Sequence, residues 1–232
     1  SPGDAIPMGD NFDIDYVTHE VGHQLGGNHT FTHSTENNAV NYEPGSGSTI
    51  MGYAGITARD IAAHSNDYYH AGSIAQIQTN LALPAKACPV NVAIAHGAPV
   101  VNAGSNYTIP KSTPFALTGS ATDAGGGALT YCWEQFDEAT TAAMLCSISN
   151  LNPAGDNDCV PVATKVTGAI FRSYPPTASP TRCFPKMAAV LDGSYVTTGP
   201  DIASEVLPSV ARTMNFRLTV RDNVAGQGQT NF

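Results

Sequence analysis

The sequence predicts an α+β chain in two parts, a helical part followed by an all-β part. Three observations carry this. Two runs before residue 84 place apolar residues at helical spacing, short runs after residue 97 alternate apolar and polar residues, and six of the seven His lie in the first part. The boundary falls where Pro84, Pro89 and Pro99 stiffen the chain, dividing it into residues 1–87 and 88–232.

In the first part, Ile14, Val17, Val21 and Leu25 share one face of a helix expected over residues 13–25, with Asp13 as its N-cap. Residues 30–66 read as loop and turn. A second helix is expected over residues 68–83, with Ile74, Ile77 and Leu81 spaced for burial. In the second part, strands are expected at 98–103, 114–122, 129–136 and 213–222. Residues 214–221 alternate strictly between apolar and polar, the mark of a strand with one buried face. Residues 138–205 form a Pro-, Ala-, Ser- and Thr-rich excursion too long for an ordinary loop. The pattern resembles an immunoglobulin- or fibronectin-like sandwich with Trp133 in its core.

Only 12 % of the residues are charged, with 10 Lys plus Arg against 19 Asp plus Glu, which argues against nucleic acid or an anionic membrane surface as partner. No run approaches the roughly 18–20 apolar residues of a membrane span. The five cysteines, Cys88, Cys132, Cys146, Cys159 and Cys183, lack CxxC spacing and read as disulfide cysteines of an oxidising compartment. Two bridges are expected among Cys132, Cys146, Cys159 and Cys183, with all three connectivities open, and Cys88 is left over.

The strongest signal runs from His19 to His29, HEVGHQLGGNH, which matches HExxHxxGxxH at every fixed position. From this chain's own residue frequencies, chance yields it on the order of 1 in 100,000. At about 100° per residue, His19 and His23 lie one turn apart on one helix face, so both imidazoles can reach one ion. Val17, Val21 and Leu25 then lie on the opposite face, which is expected to pack into a core. Gly26 allows a sharp turn at positive φ, and His29 returns as third ligand. Three neutral nitrogens leave an open position, as in a catalytic zinc site. Glu20, beside the first ligand, is placed to act as general base.

About twenty residues beyond His29 comes Ser48-Thr49-Ile50-Met51-Gly52-Tyr53. Together with HEVGHQLGGNHTF this resembles the metzincin zinc metallopeptidases, in their bacterial reprolysin-like (adamalysin-related) branch. The pappalysins, which share the His-Thr-Phe ending, are the nearest rival branch, and Thr30 departs from the Asp usual in the venom enzymes. The resemblance implies that residues 1–87 are the C-terminal portion of a metzincin catalytic domain, comprising zinc helix, Met-turn and C-terminal helix. It makes Met51 the Met-turn residue shaping the floor of the site, and Tyr53 a stabiliser of the oxyanion. It implies a secreted or cell-surface bacterial endopeptidase acting on proteins or peptides. It further implies that a preceding segment of the same precursor supplies a substrate-aligning sheet, because residues 1–18 cannot build one. The rival from another class is a secreted binding or adhesion protein with a vestigial zinc site; metal content together with cleavage of denatured protein separates the two.

Other polar residues read as structural. His33, His64, His70 and His96 lack ligand spacing with the motif. Asp123 with Gly125 to Gly127, and Asp156 with Asp158, lack the dense ligand pattern of calcium loops and read as solvated turns.

Overall fold

The computed structural model describes residues 8–34, 36, 39–84, 93–139 and 159–232. Helix α1 spans residues 10–24 in three contiguous parts, an α-helical turn Asp10–Phe12, a π-helical stretch Asp13–Thr18 and an α-helical stretch His19–Gln24. It starts earlier than expected because the Gly9 carbonyl already accepts the N–H groups of Phe12 and Asp13, both at 2.8 Å, so Asp13 is an interior residue rather than the N-cap. In the wider π turns, the Thr18 hydroxyl donates to the Asp13 carbonyl at 2.5 Å, and Tyr69 donates its hydroxyl to the Thr18 carbonyl at 2.8 Å.

The expected dry face of α1 is not dry. Val17 and Val21 are 43 % and 42 % exposed, whereas His19 and Gly22 are buried. The reason is that the core of the first part, with Phe31, Ile50, Met51 and Ile61, lies under the metal-motif side of the helix.

Helix α2, Ala71–Leu81, lies within the expected 68–83. Its start is set by two acceptors. His70 Nδ1 accepts the Gly72 N–H at 3.1 Å, and the Glu134 carboxylate accepts the Ala71 N–H at 2.9 Å, where the helix dipole favours a negative charge. From its far end, Asn80 donates to the Leu25 carbonyl at 2.7 Å, and Gln76 accepts the Asn28 N–H at 2.9 Å. Helix α2 thereby clamps both sides of the turn that follows α1.

The second part contains β1 Val100–Asn102, β2 Phe115–Thr118, β3 Ser120–Thr122, β4 Thr130–Gln135, β5 Thr181–Phe184, a short helix α3 Met187–Leu191, β6 Val196–Thr198, β7 Ala203–Val206, β8 Phe216–Arg221 and β9 Thr230–Asn231. All pairings are antiparallel: β1 with β3, β2 with β5, β6 with β7, and β4–β8–β9 in one sheet. Every strand expected from alternation is present. The run at 114–122 divides at Gly119, where a Cβ would lie 2.2 Å from Leu218 Cδ2, so β2 and β3 pair with different partners. Within the long excursion, β5, α3, β6 and β7 supply the order that no periodicity announced.

The register Trp133↔Leu218 and Cys132↔Thr219 assigns the two faces of the β4–β8 pair. On one face, Trp133, Leu218 and Val220 join Ile170, Phe171, Phe184, Val206 and Leu207 in the main hydrophobic core. Alternation predicted a wet opposite face, yet Cys132, Glu134 and Thr219 are buried there too. That face carries the bond from Glu134 to the start of α2, and Arg221 donates to the Tyr69 carbonyl at 3.2 Å. Further contacts cross between the two parts: Tyr68 donates to Ser173 Oγ at 2.7 Å, Arg172 to the Ile61 carbonyl at 2.9 Å, and the Gly45 N–H to the Cys159 carbonyl at 2.9 Å.

The expected two bridges among Cys132, Cys146, Cys159 and Cys183 do not both form: Cys159 is disulfide-bonded, but Cys132 and Cys183 are free thiols. Cys132 is instead buried with its thiol 3.2 Å from the Tyr174 carbonyl, and burial holds that thiol protonated well above the usual cysteine range. Cys88, Cys146, Asp156 and Asp158 lie outside the described residues. Among the described residues, no helix is long and apolar enough to cross a membrane.

Candidate metal centre

Helix α1 ends in a Schellman motif. The Gly26 N–H donates to the His23 carbonyl at 2.9 Å and the Gly27 N–H to the Gly22 carbonyl at 2.8 Å, with Gly26 at φ +99°. A side chain at Gly26 would also strike Asn80, with a Cβ only 2.5–2.7 Å away, so the motif glycine is required twice over. The turn leaves the Gly27 carbonyl 2.8 Å from His23 Nδ1 and sends the chain back so that His29 faces the helix.

The three imidazoles converge. Their Nε2 atoms form a triangle with edges of 3.1, 3.1 and 3.2 Å. Each Nδ1 meets an acceptor: the Ile50 carbonyl at 2.6 Å for His19, the Gly27 carbonyl for His23, and the Glu36 carboxylate at 2.7 Å for His29. A carbonyl or carboxylate can only accept, so all three rings carry their proton on Nδ1 and turn an Nε2 lone pair inward. Three lone pairs cannot hydrogen-bond to one another. They require a shared electrophile, and a tetrahedral ion with bonds of about 2.0–2.1 Å spaces its ligand atoms about 3.3–3.4 Å apart. The residues present therefore fit zinc, with Ile50, Gly27 and Glu36 orienting the ligands from behind. Burial, the largest influence on His19, lowers its pKa and so favours the neutral ring that binds a metal.

The turn at Met51 sits under this triangle. Met51 is fully buried, and its sulfur occupies the space where a Cβ on Gly22 would lie, 2.4 Å away. The Met51 carbonyl accepts the Thr30 N–H at 3.1 Å, tying the turn to the chain just after the third ligand. Beneath both lies Glu43, 1 % exposed. It accepts the Thr30 and Thr49 hydroxyls at 2.5 Å each, the Ser48 and Thr49 N–H groups at 2.9 and 3.2 Å, and the Ser48 hydroxyl at 3.3 Å. Thr30, the residue that departs from the venom-enzyme pattern, is thus part of the scaffold under the site.

Tyr53 packs beside the ligands, with ring centroids 4.5 Å from His29 and 5.5 Å from His19. Partial burial raises its pKa, with the carboxylates of Glu36 and Glu20 acting in the same direction, so the phenol is a hydrogen-bond donor at neutral pH. Glu20 is solvent-exposed on α1 immediately after the first ligand. His33 stands apart from the triangle, packed on Phe31 at 4.3 Å between centroids, and burial lowers its pKa to about 4. His64 bonds the adjacent Ser65 carbonyl, and His70 caps α2.

Sequence reading did not single out Glu36, Glu43, Asn80 or Gln76, which hold the ligands and their turn in place. Their separations of 7 to 55 residues from what they hold repeat no motif spacing.

Residues 3–81 match the model of metallopeptidase family M12B, reprolysin-like. No match was found among curated proteins or solved structures. Three convergent imidazoles, a methionine turn beneath them and this family match over the same stretch mark residues 3–81, about a third of the chain, as a reprolysin-like metzincin segment.

Proposed function

We propose that this chain carries the zinc site of an endopeptidase, with residues 1–87 as the C-terminal portion of the catalytic domain and 88–232 as an immunoglobulin-like accessory domain. The observation that carries the reading is the triangle of inward Nε2 lone pairs, each enforced by an acceptor on the far side of its ring. His19, His23 and His29 would hold the zinc ion. Bound there, zinc supplies Lewis acidity, polarising a scissile carbonyl and lowering the pKa of a water from about 15.7 towards 7.

Glu20 takes a proton from the attacking water and later delivers it to the leaving amine. Tyr53, held protonated, donates a hydrogen bond to the developing oxyanion. Met51 fills the floor, where its bulk keeps His19 and the chain around Thr30 in register. Extracellular action in bacteria is part of the same reading and rests on the family resemblance.

The test is Glu20→Gln, measured beside wild type in the full 232-residue chain. It is expected to keep its zinc while losing roughly 100- to 10,000-fold in turnover of a denatured protein substrate. Unchanged turnover would overturn the assignment of the base. Zinc retained by wild type without any cleavage would favour the binding-protein alternative.

A further inference from the structure

We propose that His96, Asp123 and Asp222 form a second divalent-cation site, separate from the three-histidine centre. The sequence offered Asp123 as a solvated turn residue and His96 as a structural residue in a loop or packing role. The fold instead brings a nitrogen of His96 and a carboxylate oxygen of each Asp within 4.8 Å of one another. A cation with bonds of about 2.0–2.4 Å spans opposite ligands by about 4–4.8 Å, so one ion can reach all three groups.

Hydrogen bonding points the same way. The Asp222 side chain is fully buried. Its Oδ1 accepts the Gln229 and Val224 N–H groups at 2.7 and 3.3 Å, but its Oδ2 has no hydrogen-bond partner. Both carboxylate oxygens of Asp123 and Nε2 of His96 are likewise buried without one. Three carboxylate oxygens without partners in one buried cluster are strongly disfavoured unless a positive charge is shared among them. His96 Nδ1 lies 3.2 Å from the Gln229 amide nitrogen and 3.7 Å from Asp222 Oδ2, so Nε2 is the ring nitrogen left without a hydrogen-bond partner. The imidazole donor favours a transition-metal ion of the zinc or manganese kind over calcium, which prefers oxygen throughout.

The loop around the cluster is built for close approach. A Cβ on Gly125 would lie 2.4–2.7 Å from the His96 ring, and one on Gly127 would lie 1.9 Å from the Asp222 carbonyl. Gln229 holds the His96 backbone by donating to its carbonyl at 2.5 Å. The glycine run after Asp123 thus wraps the carboxylate against His96 and Asp222. His96 precedes β1, Asp123 follows β3 and Asp222 follows β8, so one ion would tie the β1–β3 pair to the β4–β8–β9 sheet. Arg221, next to Asp222, holds the Tyr69 carbonyl just ahead of α2.

The experiment uses the full chain, stripped with chelator and dialysed separately against ZnCl2, MnCl2 and CaCl2, with bound metal read by elemental analysis. Wild type is expected to bind one more equivalent of zinc or manganese than Asp123→Asn or His96→Gln, while His23→Ala keeps that extra equivalent and loses the other. Asp123→Asn carries the test even where Asp222→Asn fails to fold, since Asp123 accepts no hydrogen bond in the fold. Equal metal content in wild type and Asp123→Asn with all three salts would overturn the proposal. Uptake of calcium alone, unaffected by His96→Gln, would overturn the ligand set. Loss of metal in His23→Ala with the extra equivalent intact separates this site from the peptidase reading.

Discussion

Removal of the Glu43 side chain should be among the most damaging single changes in the first part of the chain. Its carboxylate accepts five hydrogen bonds from Thr30, Ser48 and Thr49 while 1 % exposed. In Glu43→Ala the hydroxyls can rotate towards other acceptors, but the Ser48 and Thr49 N–H groups cannot. Each orphaned buried donor costs about 1–3 kcal/mol, so about 2–6 kcal/mol is expected before any cavity term. That is a large share of the about 5–15 kcal/mol that stabilises a typical domain. Glu43→Gln keeps one oxygen for the two N–H groups, and its amide can donate to hydroxyls that have turned round, so a loss of about 1–2 kcal/mol is expected. Urea unfolding of the zinc-free chain, followed by the fluorescence of its single tryptophan, Trp133, measures both. Zinc affinity should fall in parallel, because the turn that Glu43 holds presents the Ile50 carbonyl to His19. A Glu43→Ala chain within about 1 kcal/mol of wild type would refute the argument.

Glu36→Ala should weaken zinc binding about 10- to 100-fold in a competition titration, with partial recovery in Glu36→Gln, since the carboxylate orients His29 through its Nδ1. Gly22→Ala should destabilise by about 1–3 kcal/mol despite better helix propensity, because its Cβ meets the Met51 sulfur and Tyr69; the loss should shrink in a Met51→Ala background, and additive effects would argue against the contact. His33 bears on pH dependence: its folded pKa of about 4 lies below the ordinary 6.5, so the unfolded chain binds more protons between these values. Its contribution is complete above about pH 6.5 and is lost as pH falls towards 4, amounting to on the order of 3 kcal/mol. His33→Gln should flatten that part of the stability curve in the zinc-free chain, and an unaltered slope would contradict it.

How much was legible in advance depended on the range of the interaction that decides each feature. The motif from His19 to His29 is local: helical geometry aligns the first two rings, and the glycine at position 26 meets a requirement for positive φ that any reader of the spacing can state. The strands at 100–102, 130–135 and 216–221 were equally legible, because alternation reports one buried face. Helix α2 was found with its ends displaced by two or three residues, since its start is set by His70 and by Glu134 from a distant strand. The cysteine expectation failed at Cys132 and Cys183 but not at Cys159, because counting cysteines says nothing of where their side chains point, and Cys132 faces the Ser173–Tyr174 segment instead.

The sequence by itself determined the convergence of the three histidines, because their spacing with a glycine inside eleven residues leaves the backbone few other arrangements. Only the tertiary structure decided the rest. It chose which side of α1 lies on the core, it set Glu36, Glu43 and Ile50 behind and beneath the ligands, and it closed His96, Asp123 and Asp222 into one cluster across 126 positions of chain. Such groups meet only because strands and loops distant in sequence pack against one another. That packing is driven by the burial of side chains such as Trp133, Phe171 and Leu218, which carry no trace of the polar residues they bring together.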